Sequence, residues 1–330
     1  MTDNTTRRDF VKGTALLSAT ALGLGGQPAA GDAATGPAVK PSISQKDTLP
    51  MGKIGKVSLS RLILGGNIMT AYSHSRDLHY VPDLMRRYHT PDKILETLSI
   101  AESHGINAMV MPVGHVGGLL RRYREEIGGK MRWIMLACPN PNEPGKELEG
   151  FRRGIEDEGA DMMYIHGDPG LALIRAGRID LFKKALEFIK ERDIPAGVST
   201  HSLEVIEACE KANLDVDFYL KTFHTSNYAT APRPGEPGSS ASPQNDGSYD
   251  NSWCRNAQEV SDYMKTLKKP WMAFKVMAAG AIPPREAFQH AFANGADFVL
   301  AGMFDWQIAE DVQIANEVIS TVKRLYPWRA

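Results

Sequence analysis

Nine histidines are spread along the chain, and six of them follow short apolar runs: His74, His79, His115, His166, His201 and His224. An imidazole changes charge near neutral pH, so a histidine held at such a point can serve as a general acid or base. Asp168 and Asp305 follow two of the same runs. Neutral ring nitrogens and carboxylate oxygens together also suit a divalent ion such as Zn²⁺, Mn²⁺ or Fe²⁺. The expected catalytic set is His166, His201, His224, Asp168 and Lys275, and the expected metal set is His166, His201, His224 and Asp305. No HExxH, CxxC or Cys/His finger spacing occurs, so the metal expectation rests on convergence in space alone. A lone histidine at a strand end more often bonds to structure or substrate than to a metal.

Two lysines belong to the same discussion. Lys275 interrupts the apolar stretch Trp271-Met272-Ala273-Phe274-Lys275-Val276-Met277, and Lys221 ends another apolar run. A charge within such a stretch cannot face an apolar layer cheaply, so Lys275 is expected to point inward. Either amine, if desolvated, could form a Schiff base with a carbonyl. The alternative is a buried ammonium neutralised by Asp168 or Asp305.

The elements that must position these groups alternate strictly. Strand-like runs without polar alternation fall at 60–64, 108–111, 133–137, 162–165, 196–199, 218–221, 272–277 and 298–301. Helical patterns fall at 91–104, 117–127, 144–158, 179–192, 203–212, 257–268, 284–293 and 308–325. Thr90-Pro91 and Ser202 offer helix starts, and Gly105, Gly159 and Gly295 offer helix stops. Eight strands alternating with eight helices predict the α/β class and a (β/α)8 TIM barrel. The rival is a doubly wound open sheet, but no GxGxxG follows the first strand. In a barrel the groups named above end strands or follow them, on the face where barrel enzymes keep their sites.

Residues 225–255, rich in Pro, Gly and Ser, break the rhythm after the sixth strand. A connection this long is often functional, and Tyr228, Tyr249 and Trp253 would give a lid stacking surfaces. A disordered insertion is the alternative. The stretches 278–284 and 295–303 resemble phosphate-binding turns, although their glycines serve tight turns equally well.

Composition narrows the classes. Hydrophobic residues make up 42% and charged residues 23%, which suits a sizeable core. A net charge of -1 with no basic stripe argues against nucleic acid. Three cysteines, Cys138, Cys209 and Cys254, do not make a disulfide scaffold. The chain opens with Arg7-Arg8-Asp9-Phe10-Val11-Lys12, a mild apolar run and small residues at 28–34. This resembles a twin-arginine signal. It implies handling by the twin-arginine export machinery, a periplasmic or otherwise exported product, and no stable membrane insertion after the signal is removed. The organisation expected is a signal at 1–34, a leader at 35–56 and one barrel domain at 57–330.

Further residues resemble the aldo/keto reductase superfamily. Val57 to Gly66 is similar to its first strand, and Glu96 to Asn107 to its first helix and following turn. Ala160 to Asp168 resembles its fourth strand, which ends in the catalytic histidine, here His166. Gly197 to Ser202 resembles the fifth, where the family places nicotinamide contacts. The similarity runs over about residues 57–320. Of the family's active tetrad only His166 carries over. The segment after strand two, Met109 to His115, holds neither the active Asp nor the active Tyr, and Cys138 stands where the lysine is expected. The family's strand-six glutamine would fall near Leu220. Glu310 and Asp311 stand where basic groups would bind a cofactor phosphate. The resemblance therefore implies the barrel, while NADP binding is not expected.

The function expected is an exported barrel enzyme acting on a polar small molecule, a sugar or oxidised sugar, by acid/base or metal-assisted chemistry. One alternative is an oxidoreductase that uses His166 and loads its cofactor before export. Another is a non-catalytic exported binding protein.

Overall fold

The computed structural model describes residues 48–72, 74, 75, 78–115, 117–232, 253, 254 and 256–330. The expected signal, most of the leader, and residues 233–252 and 255 of the expected lid lie outside the described residues.

Eight parallel strands close into a barrel in the order β10-β3-β4-β5-β6-β7-β8-β9. They are β3 (Leu62–Gly65), β4 (Ala108–Pro112), β5 (Arg132–Ala137), β6 (Met162–Ile165), β7 (Ala196–Thr200), β8 (Phe218–Thr222), β9 (Trp271–Phe274) and β10 (Phe298–Ala301). The (β/α)8 fold read from the alternation is the fold observed. The strands are largely apolar because side chains alternate between two buried layers, and polar members such as Thr200, Lys221 and Thr222 stand at the C-terminal ends. Ile63, Val110, Ile134, Met162, Phe218, Leu220, Met272 and Phe298 fill the lumen as one cluster. Leu64, Met109, Trp133, Met163, Val198, Tyr219 and Ala273 join the surrounding helices in another.

Two elements were not anticipated at the entrance to the domain. β1 (Met51–Ile54) and β2 (Val57–Ser60) form an antiparallel hairpin. Its Ile54, Val57 and Leu59 belong to the lumen cluster, so the end of the expected leader, at Ile54, contributes to the core. The first barrel strand consequently starts at Leu62 and not at Ser60.

Helix boundaries follow local chemistry. Thr90 caps Pro91–Ser103 by accepting from Lys93 N at 3.3 Å, and Ser202 caps Leu203–Lys211 by accepting from Glu204 N at 3.2 Å. The helix expected at 117–127 has those bounds, as Gly117–Arg122 followed by a π turn at Tyr123–Ile127, while the one expected at 144–158 is shorter, Glu149–Arg152 followed by a π turn at Arg153–Asp157. Two further helices, Val81–Tyr88 and Gly167–Arg175, occupy segments read as loops. No helix of the described residues is long and apolar enough to cross a membrane.

Candidate functional site

The C-terminal ends of β6, β7, β8 and β9 bring the chemistry together. His166 follows β6 and is the N-cap residue of Gly167–Arg175. A Cβ on Gly167 would stand 3.0 Å from Thr200 Cα, so only glycine lets this turn pack against the end of β7. That packing sets His166 beside His201.

His201 is held on both ring nitrogens and on its face. Its Nδ1 meets the Thr222 hydroxyl, its Nε2 lies 3.6 Å from Asp168 Oδ1, and the Trp253 ring lies at 4.4 Å between centroids. Burial lowers its pKa well below the usual histidine range, and Lys275, Lys221, His166 and His74 push in the same direction. Burial also lowers His166; Asp168 opposes the shift and Lys275 adds to it. Both rings are therefore neutral near pH 7.

Lys275 departs from the expected geometry. β9 ends at Phe274, so Lys275 lies beyond the strand and not inside it. Its φ is 56°, in the left-handed region, as are those of Ala278 at 45° and Ala279 at 56°. Non-glycine residues held there carry strain of the kind found at functional sites. The turn aims the amine across the barrel mouth, where Nζ contacts His74 Nε2 and lies 4.0 Å over the Trp253 ring. Lys221 is buried, and its Nζ donates to the carbonyls of His201 at 2.8 Å and Thr222 at 3.1 Å. It braces the backbone beneath the site.

Two expected site residues leave the set. His224 is almost fully buried, its Nδ1 lies 3.0 Å from Thr225 O, and its Nε2 accepts from the N–H groups of Trp253 and Cys254, each at 2.9 Å. Both nitrogens are committed, so the ring fastens the returning chain. Asp305 accepts from Tyr88 Oη at 2.6 Å and Lys93 Nζ at 3.3 Å. That pairing binds it to the helices after β3, apart from the imidazoles. Among the described residues no group of three or more His, Cys, Asp or Glu could hold a metal ion. The metal set His166, His201, His224 and Asp305 is corrected accordingly.

Of the remaining histidines, His115 pairs with Tyr72 across 3.4 Å, and His79 is exposed. Cys138 has its thiol pushed up to about 12 by burial, so it is no thiolate nucleophile. A cleft of about 900 Å³ opens by the loops after β3 and β4, lined by Thr70, His115, Arg86, Arg121 and Arg153 among others. His166, His201 and Lys275 do not line it. Thr222 escaped the sequence reading, although its parity with Phe218 and Leu220 on β8 was available to mark it as lumen-facing.

No family model and no curated protein matches the chain. Solved structures match its fold. An aldo-keto reductase from Pseudomonas aeruginosa aligns with TM-score 0.55 and 16% identity over 83% of this chain and 97% of its own. A variant of Gox0644 in complex with NADPH aligns with TM-score 0.53 and 11% identity over 84% of this chain and 90% of its own. At these identities the likeness is one of fold: the chain is a (β/α)8 barrel.

Proposed function

We propose that this chain is an exported enzyme that moves protons on a polar, carbonyl-bearing small molecule, a sugar or oxidised sugar. The carrying observation is that His201 and the Lys275 ammonium both lie against the Trp253 ring at the mouth of the barrel, with His166 near enough that Lys275 lowers the pKa of both imidazoles. A neutral imidazole takes a proton from carbon or oxygen, and an ammonium or N–H stabilises the oxyanion that forms. Trp253 supplies a flat apolar face beside these polar groups, a usual partner for a sugar ring.

Hydride transfer from NADP(H) fits these residues less well. The helix after β10, Ile308–Thr321, carries Glu310 and Asp311 in its first turn, and Asp311 is buried with a pKa raised to about 6. Carboxylates at a helix start occupy the position that favours a phosphate. Export, read from Arg7 and Arg8, supports the same choice, because a soluble nicotinamide would not be replenished outside the cytoplasm.

The test is a screen of aldoses, ketoses and their oxidised acids in D₂O, following loss of the C–H signal next to the carbonyl by proton NMR. Catalysed exchange supports the proposal. Carbonyl reduction with NADPH would favour the oxidoreductase alternative, and tight binding without turnover would favour a binding protein.

A further inference from the structure

Thr222 stands on β8 in the same parity as Phe218 and Leu220, which face the lumen, and it is fully buried. Its hydroxyl meets His201 Nδ1 and has no other partner among the described residues. On the far edge of the same ring, Nε2 faces Asp168 Oδ1 at 3.6 Å. Trp253 and Phe274 flank the ring, with centroids at 4.4 and 5.3 Å, and limit its rotation.

A neutral imidazole carries one N–H and one lone pair, so two tautomers compete. In the first, Nδ1–H donates to Thr222. The threonine O–H is then buried without an acceptor, and the Nε2 lone pair faces a carboxylate. In the second, Thr222 donates to Nδ1 and Nε2–H faces Asp168 and the mouth of the barrel. The second satisfies the buried donor and replaces a repulsion with an attraction. The imidazolium is opposed by the groups around it: Lys275, Lys221, His166 and His74 stand against the single carboxylate Asp168.

We propose that Thr222 is a positioning residue that fixes His201 in its Nε2–H tautomer, making His201 a neutral hydrogen-bond donor to a substrate carbonyl oxygen and not the group that takes the proton. The proposal rests on the acid/base reading of the site for its catalytic meaning, but the tautomer itself does not. In the step implied, a C–H bond next to the carbonyl breaks and its proton passes to His166. The electron pair moves onto the carbonyl oxygen, which Nε2–H of His201 steadies. Neutral imidazole is known to polarise carbonyls in this manner.

The experiment is long-range proton–nitrogen correlation NMR on the full ¹⁵N-labelled chain, resolving the ring nitrogens of His201. The expected spectrum shows Nδ1 as the lone-pair nitrogen and Nε2 as the protonated one. Thr222→Ser should keep that pattern, and Thr222→Val should lose it to a mixture. A protonated Nδ1 in the unaltered chain, or an unchanged pattern in a folded Thr222→Val, would overturn the proposal. If Thr222→Val does not fold, the unaltered chain and Thr222→Ser still decide. The measurement needs no substrate, so a chain without turnover would sink the acid/base reading and leave the tautomer result standing.

Discussion

The backbone N–H of Cys254 donates to Nε2 of His224 across 2.9 Å, and that bond joins two points 30 residues apart in sequence. His224 opens the connection after the sixth barrel strand, which ends at Thr222, and Trp253 beside Cys254 lies against His201 and Lys275 at the far end of that connection. The histidine thus acts on the site through the backbone it fastens.

His224→Ala should destabilise the protein by about 2–4 kcal/mol, because two buried N–H groups lose their acceptor and a cavity remains. Urea unfolding at pH 7 measures this. A loss under about 0.5 kcal/mol would show that the ring is not the fastening that its bonds describe.

Stability should also depend on pH through the same residue. Burial lowers the His224 pKa to about 4, below the unfolded value of 6.5. The unfolded chain therefore binds more protons between these values. Stability is complete above about pH 6.5 and falls as the pH drops towards 4, by up to about 3 kcal/mol from this group. His166 and His201 shift in the same direction and steepen the slope. Urea midpoints between pH 4 and 7 give the curve, and stability that rose on acidification would contradict it.

Lys275→Met should raise the pKa of both His166 and His201, since the ammonium opposes the charging of each ring. Proton NMR titration of the two imidazoles reads this directly. On any substrate the variant should lose about 100-fold or more in kcat, and Lys275→Arg should not restore it, because a planar guanidinium does not reproduce a compact ammonium set against both His74 and the Trp253 ring. Imidazole titrations unmoved by Lys275→Met would remove the lysine from the site.

Much of this was legible in the sequence, for reasons that can be traced. The apolar strands ending at Ile165, Thr200 and Thr222 located His166, His201 and the β8 end, because strands buried on both faces admit few polar residues. The orientation of each ring was not legible. His224 has the same strand-end spacing as His166, yet its partners come from Trp253 and Cys254 across a long connection that no local pattern encodes. Lys275 was read as part of β9 because Val276 and Met277 extend the apolar run, and the turn that redirects it starts at a non-glycine left-handed residue, five positions before its glycine, Gly280. The hairpin β1–β2 was missed because Gly55 and Lys56 make a weak turn signal beside a polar leader.

Fluorescence titration of the purified chain with NADPH should give no micromolar binding, given Glu310 and Asp311 at the start of Ile308–Thr321. Micromolar affinity accompanied by carbonyl reduction would restore the nicotinamide chemistry of the fold's reductases.

Arg7→Lys with Arg8→Lys should leave precursor in the cytoplasm, since the paired arginines are the distinctive part of the proposed signal. Fractionation with an antibody to the chain follows it. Continued export of the double variant would mean another route.

The most direct test compares the unaltered chain with His166→Ala for deuterium exchange next to a substrate carbonyl in D₂O, with no NADPH present. His166 is the residue on which the proposed acid/base site depends; burial lowers its pKa, Asp168 opposes the shift and Lys275 adds to it. The account predicts exchange catalysed by the unaltered chain and reduced about 100-fold or more in His166→Ala, with the fold intact by circular dichroism. Equal exchange by the two proteins would contradict it.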